Sequence, residues 1–130
     1  MNTPDPRERD LVKCEDMRLH AERARAFVGS CSLAEFLADE LLQAAVIRCI
    51  EVIGEAARQV SADTRQRAPQ IPWSLIVGIR NVLAHDYGTV DLERIYNVVT
   101  LQLPDLLGRL NALIVALERD VGWQDEETSR

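Results

Sequence analysis

Aromatic side chains are scarce in this chain: two Trp, two Tyr and two Phe among 130 residues. So thin a set cannot supply the exposed rings on which RNA-recognition sheets and OB-type folds stack bases, and it argues against those binding modes. Cysteine is scarce and unpatterned as well. Cys14, Cys31 and Cys49 are odd in number and lack C-x-x-C spacing, so neither a disulfide framework nor a zinc knuckle is expected. With 6 glycines and 5 prolines, the composition is neither disordered nor collagen-like. G-x-G-x-x-G, P-loop and G-x-S-x-G motifs are all absent, which removes dinucleotide, nucleoside-triphosphatase and hydrolase-elbow chemistries. No uncharged stretch approaches the roughly 18 residues of a membrane span, and the opening MNTPDPRERD is unlike a secretory signal. These absences predict a soluble, cytoplasmic protein of a reducing compartment, without membrane contact.

What is present fits one folded domain. The chain is 47% hydrophobic and 28% charged, enough for a single core and too short for two. Its net charge of −6 argues against a broad nucleic-acid-coating surface. The imbalance is local, because residues 41–90 hold 5 basic and 4 acidic groups while both flanks are acidic. If any part of the chain meets a phosphate it is the middle, where the cations are all arginine.

Apolar spacing reads as helix throughout. Leu11, Cys14, Met17, Ala21, Ala24 and Val28 define a first helix that Gly29 ends. Ser32 and Glu35 form an S-x-x-E capping box for the next start. Leu41, Val46, Cys49, Ile50, Ile53, Ala57 and Val60 form the clearest stripe, with Arg48, Glu51, Glu55 and Arg58 on another face. A turn-rich link over 61–72 leads to a helix beginning near Pro72 and ending near Tyr87, ahead of Gly88. Asp91 caps the last helix, in which Pro104 predicts a kink rather than a break. Short links predict an all-α, antiparallel four-helix bundle with short extra helical turns. The helical domain is expected over 1–121, followed by a flexible acidic tail at 122–130.

Two clusters hold the candidate chemistry. Glu51 and Glu55, one turn apart, suit a carboxylate site. The stronger reading of that face is an ion-pair ladder with Arg48 and Arg58 at i,i+3 spacing. The second cluster is R-x4-H-x-Y: Arg80, His85 and Tyr87, with Asn81 four residues before His85. Arginine grips phosphate oxygens in a forked contact, and histidine takes up a proton near neutral pH. At 100° per residue, His85 lies about 140° around the helix from Arg80. The two converge only if the helix frays, or if two copies of a homodimer face each other. The spacing alone also fits a buried hydrogen-bond cluster beside Trp73 and the Glu51/Glu55 face. His20, in a charged stretch, is expected to be a solvated bystander.

The combination of IGEA (Ile53–Ala56), IPW (Ile71–Trp73), IRNVLAHDYGTVD (Ile79–Asp91) and LPDLL (Leu103–Leu107) resembles the HEPN superfamily, in its HepT-like toxin branch, over roughly Leu33 to Leu117. The resemblance implies a homodimeric, metal-independent endoribonuclease without a cofactor. It would be the toxin of a type VII-like toxin–antitoxin system. By this resemblance Arg80 and His85 are catalytic. Tyr87 is the residue that a partner nucleotidyltransferase antitoxin modifies with AMP from ATP. Asn81, Glu55, Arg48 and Glu51 are expected to support the pair. The competing reading is a non-catalytic helical binding module that partners a nucleotidyltransferase.

Overall fold

The computed structural model describes the backbone of residues 5–85 and 91–128, and the side chains of 5–79 and 91–122. Among the described residues every regular element is helical, so the chain is all-α. Helix α1 (Pro6–Val28) starts where Asp5 accepts the Arg7 N–H and Pro6 occupies a first-turn position that needs no donor. It stops at Gly29, whose φ of 53° suits a residue without a Cβ. Cys14, Met17, Ala21, Ala24 and Val28 alternate three and four apart and are all buried, as their spacing predicts.

The Ser32–Glu35 capping box forms in both directions: Glu35 N–H donates to Ser32 Oγ at 3.1 Å and Ser32 N–H to Glu35 Oε1 at 3.0 Å. The helix it starts, α2 (Leu33–Leu37), is a single short turn. Asp39 then provides a second cap, accepting the Leu42 N–H at 3.0 Å, and α3 (Glu40–Gln59) follows. The link after α3 contains the short α4 (Ala62–Arg67), capped by Ser61. Helix α5 (Trp73–His85) begins directly after Pro72. Its expected end near Tyr87 and Gly88 lies outside the described residues.

Asp91 caps α6 (Leu92–Asn97) through the Arg94 N–H at 3.1 Å. A π-helical turn (Val98–Gln102) joins α6 to α7 (Leu103–Thr128). In that turn the Leu103 N–H donates to the Val98 carbonyl, five residues back. Ordinary α spacing would ask Pro104 for an N–H it lacks. The helix passes this proline through the π turn, where the ladder is already interrupted. The helical backbone also extends past Gly122 to Thr128.

The packing follows from where the ends meet. Helix α1 lies against α3 and α7, and α5 lies against α3. Tyr96 Oη donates to the Cys31 carbonyl at 2.6 Å, tying the start of the last helical run to the end of α1. At the opposite end Arg67 pairs with Asp120 at 2.7 Å. The α6–α7 run therefore travels antiparallel to α1. Leu92–Gly122 is long and apolar enough to cross a membrane by length and composition alone. Its stripe of Ile95, Val99, Leu103, Leu110, Ile114 and Leu117 is nonetheless buried in the core. Burying each such side chain contributes roughly 1.5–3 kcal/mol.

Candidate functional site

The start of α5 is fixed by neighbours that precede it in sequence. Arg65 reaches back from α4 to the C-terminal end of α3. Its Nε donates to the Val60 carbonyl at 3.1 Å, and its Nη2 to those of Ala57 at 2.9 Å and Arg58 at 3.1 Å. These carbonyls lie at the helix end, where the α-helical ladder runs out of donors, and that of Ala57 also accepts the Val60 N–H at 3.2 Å. The same guanidinium sits 5.8 Å from the centre of the Trp73 ring. Trp73 Nε1 donates to the Ala68 carbonyl at 3.0 Å, and Ile71 is buried beside it. The IPW segment is therefore the anchor from which α5 runs back along α3.

Arg80, Asn81 and His85 all lie on the last turns of α5, whose backbone is helical to His85. Arg80 follows Trp73 by seven residues and Ile76 by four, so it shares their α5 face; both are buried in the core. His85 falls on a different face by register. Tyr87 lies outside the described residues. Because α5 is antiparallel to α3 and starts beside its C-terminal end, Arg80 comes level with the middle of α3. That is the stretch carrying Arg48, Glu51 and Glu55.

On α3 the ladder forms. Arg58 Nη2 meets Glu55 Oε1 at 2.7 Å and Gln59 Nε2 donates to the same oxygen at 3.0 Å. The Glu55 carboxylate holds Arg58 above its ordinary range. Arg48 and Glu51 approach to 3.6 Å. Both predicted i,i+3 pairs are present, as solvent-screened pairs on an exposed face. Among the described residues no group of three His, Cys, Asp or Glu is arranged to hold a metal ion. A groove of about 280 Å³ runs along this face between α1 and α3, with Lys13 and Asp16 opposite Arg48, Glu51 and Glu55. The sequence reading missed Lys13 and Asp16, since α1 was legible only through its buried stripe. His20 is half-buried rather than solvated, with Nδ1 donating to the Asp16 carbonyl at 2.9 Å.

A second groove, of about 230 Å³, opens between α5 and the α6–α7 run, with Ile50 and Ile53 of α3 at its floor. Leu75 and Ile79 of α5 form one wall, and Leu101 and Leu106 the other.

Comparison with known proteins assigns the chain to a family. The profile of a family described as "Ribonuclease HepT-like" matches residues 17–113, from α1 to the middle of α7. A Methanocaldococcus jannaschii protein named "Putative RNase MJ1380" is 38% identical over 80 residues, covering 62% of this chain and 73% of the relative. A Thermococcus cleftensis protein named "Probable ribonuclease HepT" is 33% identical over 99 residues, covering 76% of this chain and 90% of the relative. No solved structure gives a significant match.

Proposed function

This chain belongs to the HepT-like ribonuclease family, and from that membership we propose that it is an endoribonuclease built on Arg80 and His85. The observation that carries the proposal is that the family match spans all of α5, which stays helical to His85. The helix thereby holds a phosphate-binding cation and a proton acceptor at a fixed spacing.

His85 removes the proton from a ribose 2′-hydroxyl. The 2′-oxygen forms a bond to the adjacent phosphorus while the bond from phosphorus to the 5′-oxygen breaks. Negative charge grows on the phosphate oxygens and Arg80 neutralises it. The departing 5′-oxygen takes a proton from a second imidazole. The products are a cyclic 2′,3′-phosphate and a free 5′-hydroxyl, and every proton is moved by a side chain, so the scheme is metal-independent.

A straight helix keeps Arg80 and His85 of one chain about 140° apart. Two copies related by a two-fold axis restore the missing group, so the active form is a homodimer of antiparallel four-helix bundles, with one His85 as base and its mate as acid. Glu55 and Glu51 steady Arg80 from α3, Arg48 adds positive charge, and Asn81 orients His85. In this reading the protein is a cytoplasmic toxin. A partner nucleotidyltransferase antitoxin silences it by transferring AMP from ATP to Tyr87, placing bulk and negative charge where RNA must lie.

Induced expression in bacteria tests the proposal, together with incubation of purified protein with RNA. Wild type should arrest growth and cut RNA, while Arg80→Ala and His85→Ala should do neither. Intact RNA with wild type overturns the enzyme reading, and equal toxicity of all three overturns the site.

A further inference from the structure

We propose that the corner between α2 and α3 is a docking surface for a basic, amphipathic helix of a partner protein. This surface is independent of the ribonuclease reading, because it contains none of the residues placed at that site. Leu41 is 83% exposed, more than any other large apolar side chain among the described residues, and Leu37 is 46% exposed. Ala34, Ala38 and Ala44 are exposed around them. Ala34 and Leu37, three apart, share the outer face of α2, and Leu41 and Ala44 share one face of α3. Phe36 turns the other way, fully buried and edge-on to the Tyr96 ring. The corner is held firmly: Gln43 Nε2 donates to the Phe36 carbonyl at 2.9 Å and to that of Leu37 at 3.1 Å. Leucines displayed on so fixed a backbone stabilise nothing in a lone chain, and clustered exposed apolar groups mark contact surfaces.

Charge selects the occupant. Between Gly29 and Ile47 the chain holds three acids, Glu35, Asp39 and Glu40, and no base. The Cys31 thiol registers their field: desolvation pushes it up first, and the Glu35 and Asp39 carboxylates push it further. Such a rim repels anionic lipid and RNA. A second copy related by a two-fold axis would set acid against acid. A partner whose apolar stripe is flanked by Lys or Arg meets both features at once. Helical form suits the leucines, since a side chain projecting from a corner seats in the hole between four residues of a facing helix. Two leucines make a small contact, so the association is a transient one.

The test uses the full chain and three synthetic peptides: an amphipathic leucine–lysine helix, a scrambled peptide of the same composition, and a leucine–glutamate helix of the same pattern. Fluorescence anisotropy measures affinity, and backbone amide NMR shifts locate the contact. The leucine–lysine helix should bind with shifts centred on residues 34–44, and the other two peptides should bind at least about tenfold more weakly. Leu41→Gln should weaken binding about tenfold. Glu35→Gln, Asp39→Asn and Glu40→Gln combined keep the caps of α2 and α3, because Gln and Asn fill those places. That variant should bind about tenfold more weakly at low salt and lose most of the salt dependence. Circular dichroism and thermal melts check that each variant is folded. Equal binding of the scrambled peptide, shifts away from the corner, or unchanged affinity in either variant overturns the proposal. So does binding of phosphatidylglycerol vesicles through Leu41, which assigns the patch to a lipid surface. A lower mass of Leu41→Gln than of wild type in light scattering overturns it too, by assigning the patch to a second copy.

Discussion

Thr64 on α4 donates its hydroxyl hydrogen to Oδ2 of Asp10 on α1 at 2.5 Å, although the two stand 54 positions apart in sequence. Both residues are buried, at 3% and 4% exposure. Ser61 completes the arrangement, its N–H reaching Asp10 Oδ1 at 3.0 Å and its hydroxyl Oδ2 at 2.5 Å. A carboxylate removed from water is tolerated here because three donors satisfy it. Asp10→Ala strands those donors and should cost about 3 kcal/mol, lowering the melting temperature by about 10 °C. Asp10→Asn should cost less, as it keeps one acceptor oxygen. Thermal melts check this, and an Asp10→Ala variant within about 0.5 kcal/mol of wild type would refute it.

Burial also sets an alkaline limit on stability. Removal from water pushes the Cys14 thiol up to about 12, and the Asp10 and Glu15 carboxylates add to the shift. The unfolded thiol ionises near about 8.5. Below that value both states hold the proton and the contribution is constant. Above it the unfolded state loses its proton first, so stability falls by roughly 1.4 kcal/mol per pH unit until the folded value is reached. Urea unfolding at pH 8 and pH 10.5 should therefore show a steeper loss for wild type than for Cys14→Ala. The cavity left by that substitution is independent of pH and cancels in the comparison. Equal losses would sink the argument.

Local signals in the sequence translated directly into structure. The Ser32–Glu35 box and the Asp91 cap involve residues three apart, and the buried stripe of α1 needs only periodicity. The break between α2 and α3 was hidden because Asp39 and Glu40 read equally well as a second cap or as the polar face of one helix. Pro104 was legible as a disturbance, but its resolution as a π turn was not, since the apolar stripe stays in phase on both sides. The clasp of Asp10 on Ser61 and Thr64 was invisible for a different reason: it joins residues more than 50 apart, and nothing in either segment announces the other. The same holds at the candidate site. Arg48–Glu51 and Glu55–Arg58 were readable as i,i+3 neighbours, whereas Lys13 and Asp16 reach that face only through helix packing.

Arg65 joins three helices with one side chain, so its loss should exceed that of an ordinary surface arginine. Arg65→Ala releases the carbonyls of Ala57, Arg58 and Val60 and removes the cation from the Trp73 ring. Together these should cost about 2 kcal/mol. Arg65→Lys should recover little, because an ammonium lacks the planar fork that reaches several carbonyls at once. Chemical denaturation of the two variants measures this, and a lysine variant as stable as wild type would show that charge alone suffices.

Mixing experiments expose how many histidines one cleavage event needs. If His85 of one copy removes the 2′-hydroxyl proton and His85 of its mate protonates the leaving oxygen, a dimer with one His85→Ala chain loses half of that pair. Loss of general acid–base help typically costs about 10²–10⁴-fold. Co-expressed at equal levels and purified together, wild-type and His85→Ala chains form wild-type pairs in about a quarter of the dimers. Cleavage should then fall with the square of the wild-type fraction, to about a quarter of the all-wild-type rate, because only those pairs keep both imidazoles. A chain acting alone with its own Arg80 and His85 would instead give a linear fall, to about a half. Initial rates across a series of mixing ratios separate the two curves, and a straight line would show that each copy is complete by itself.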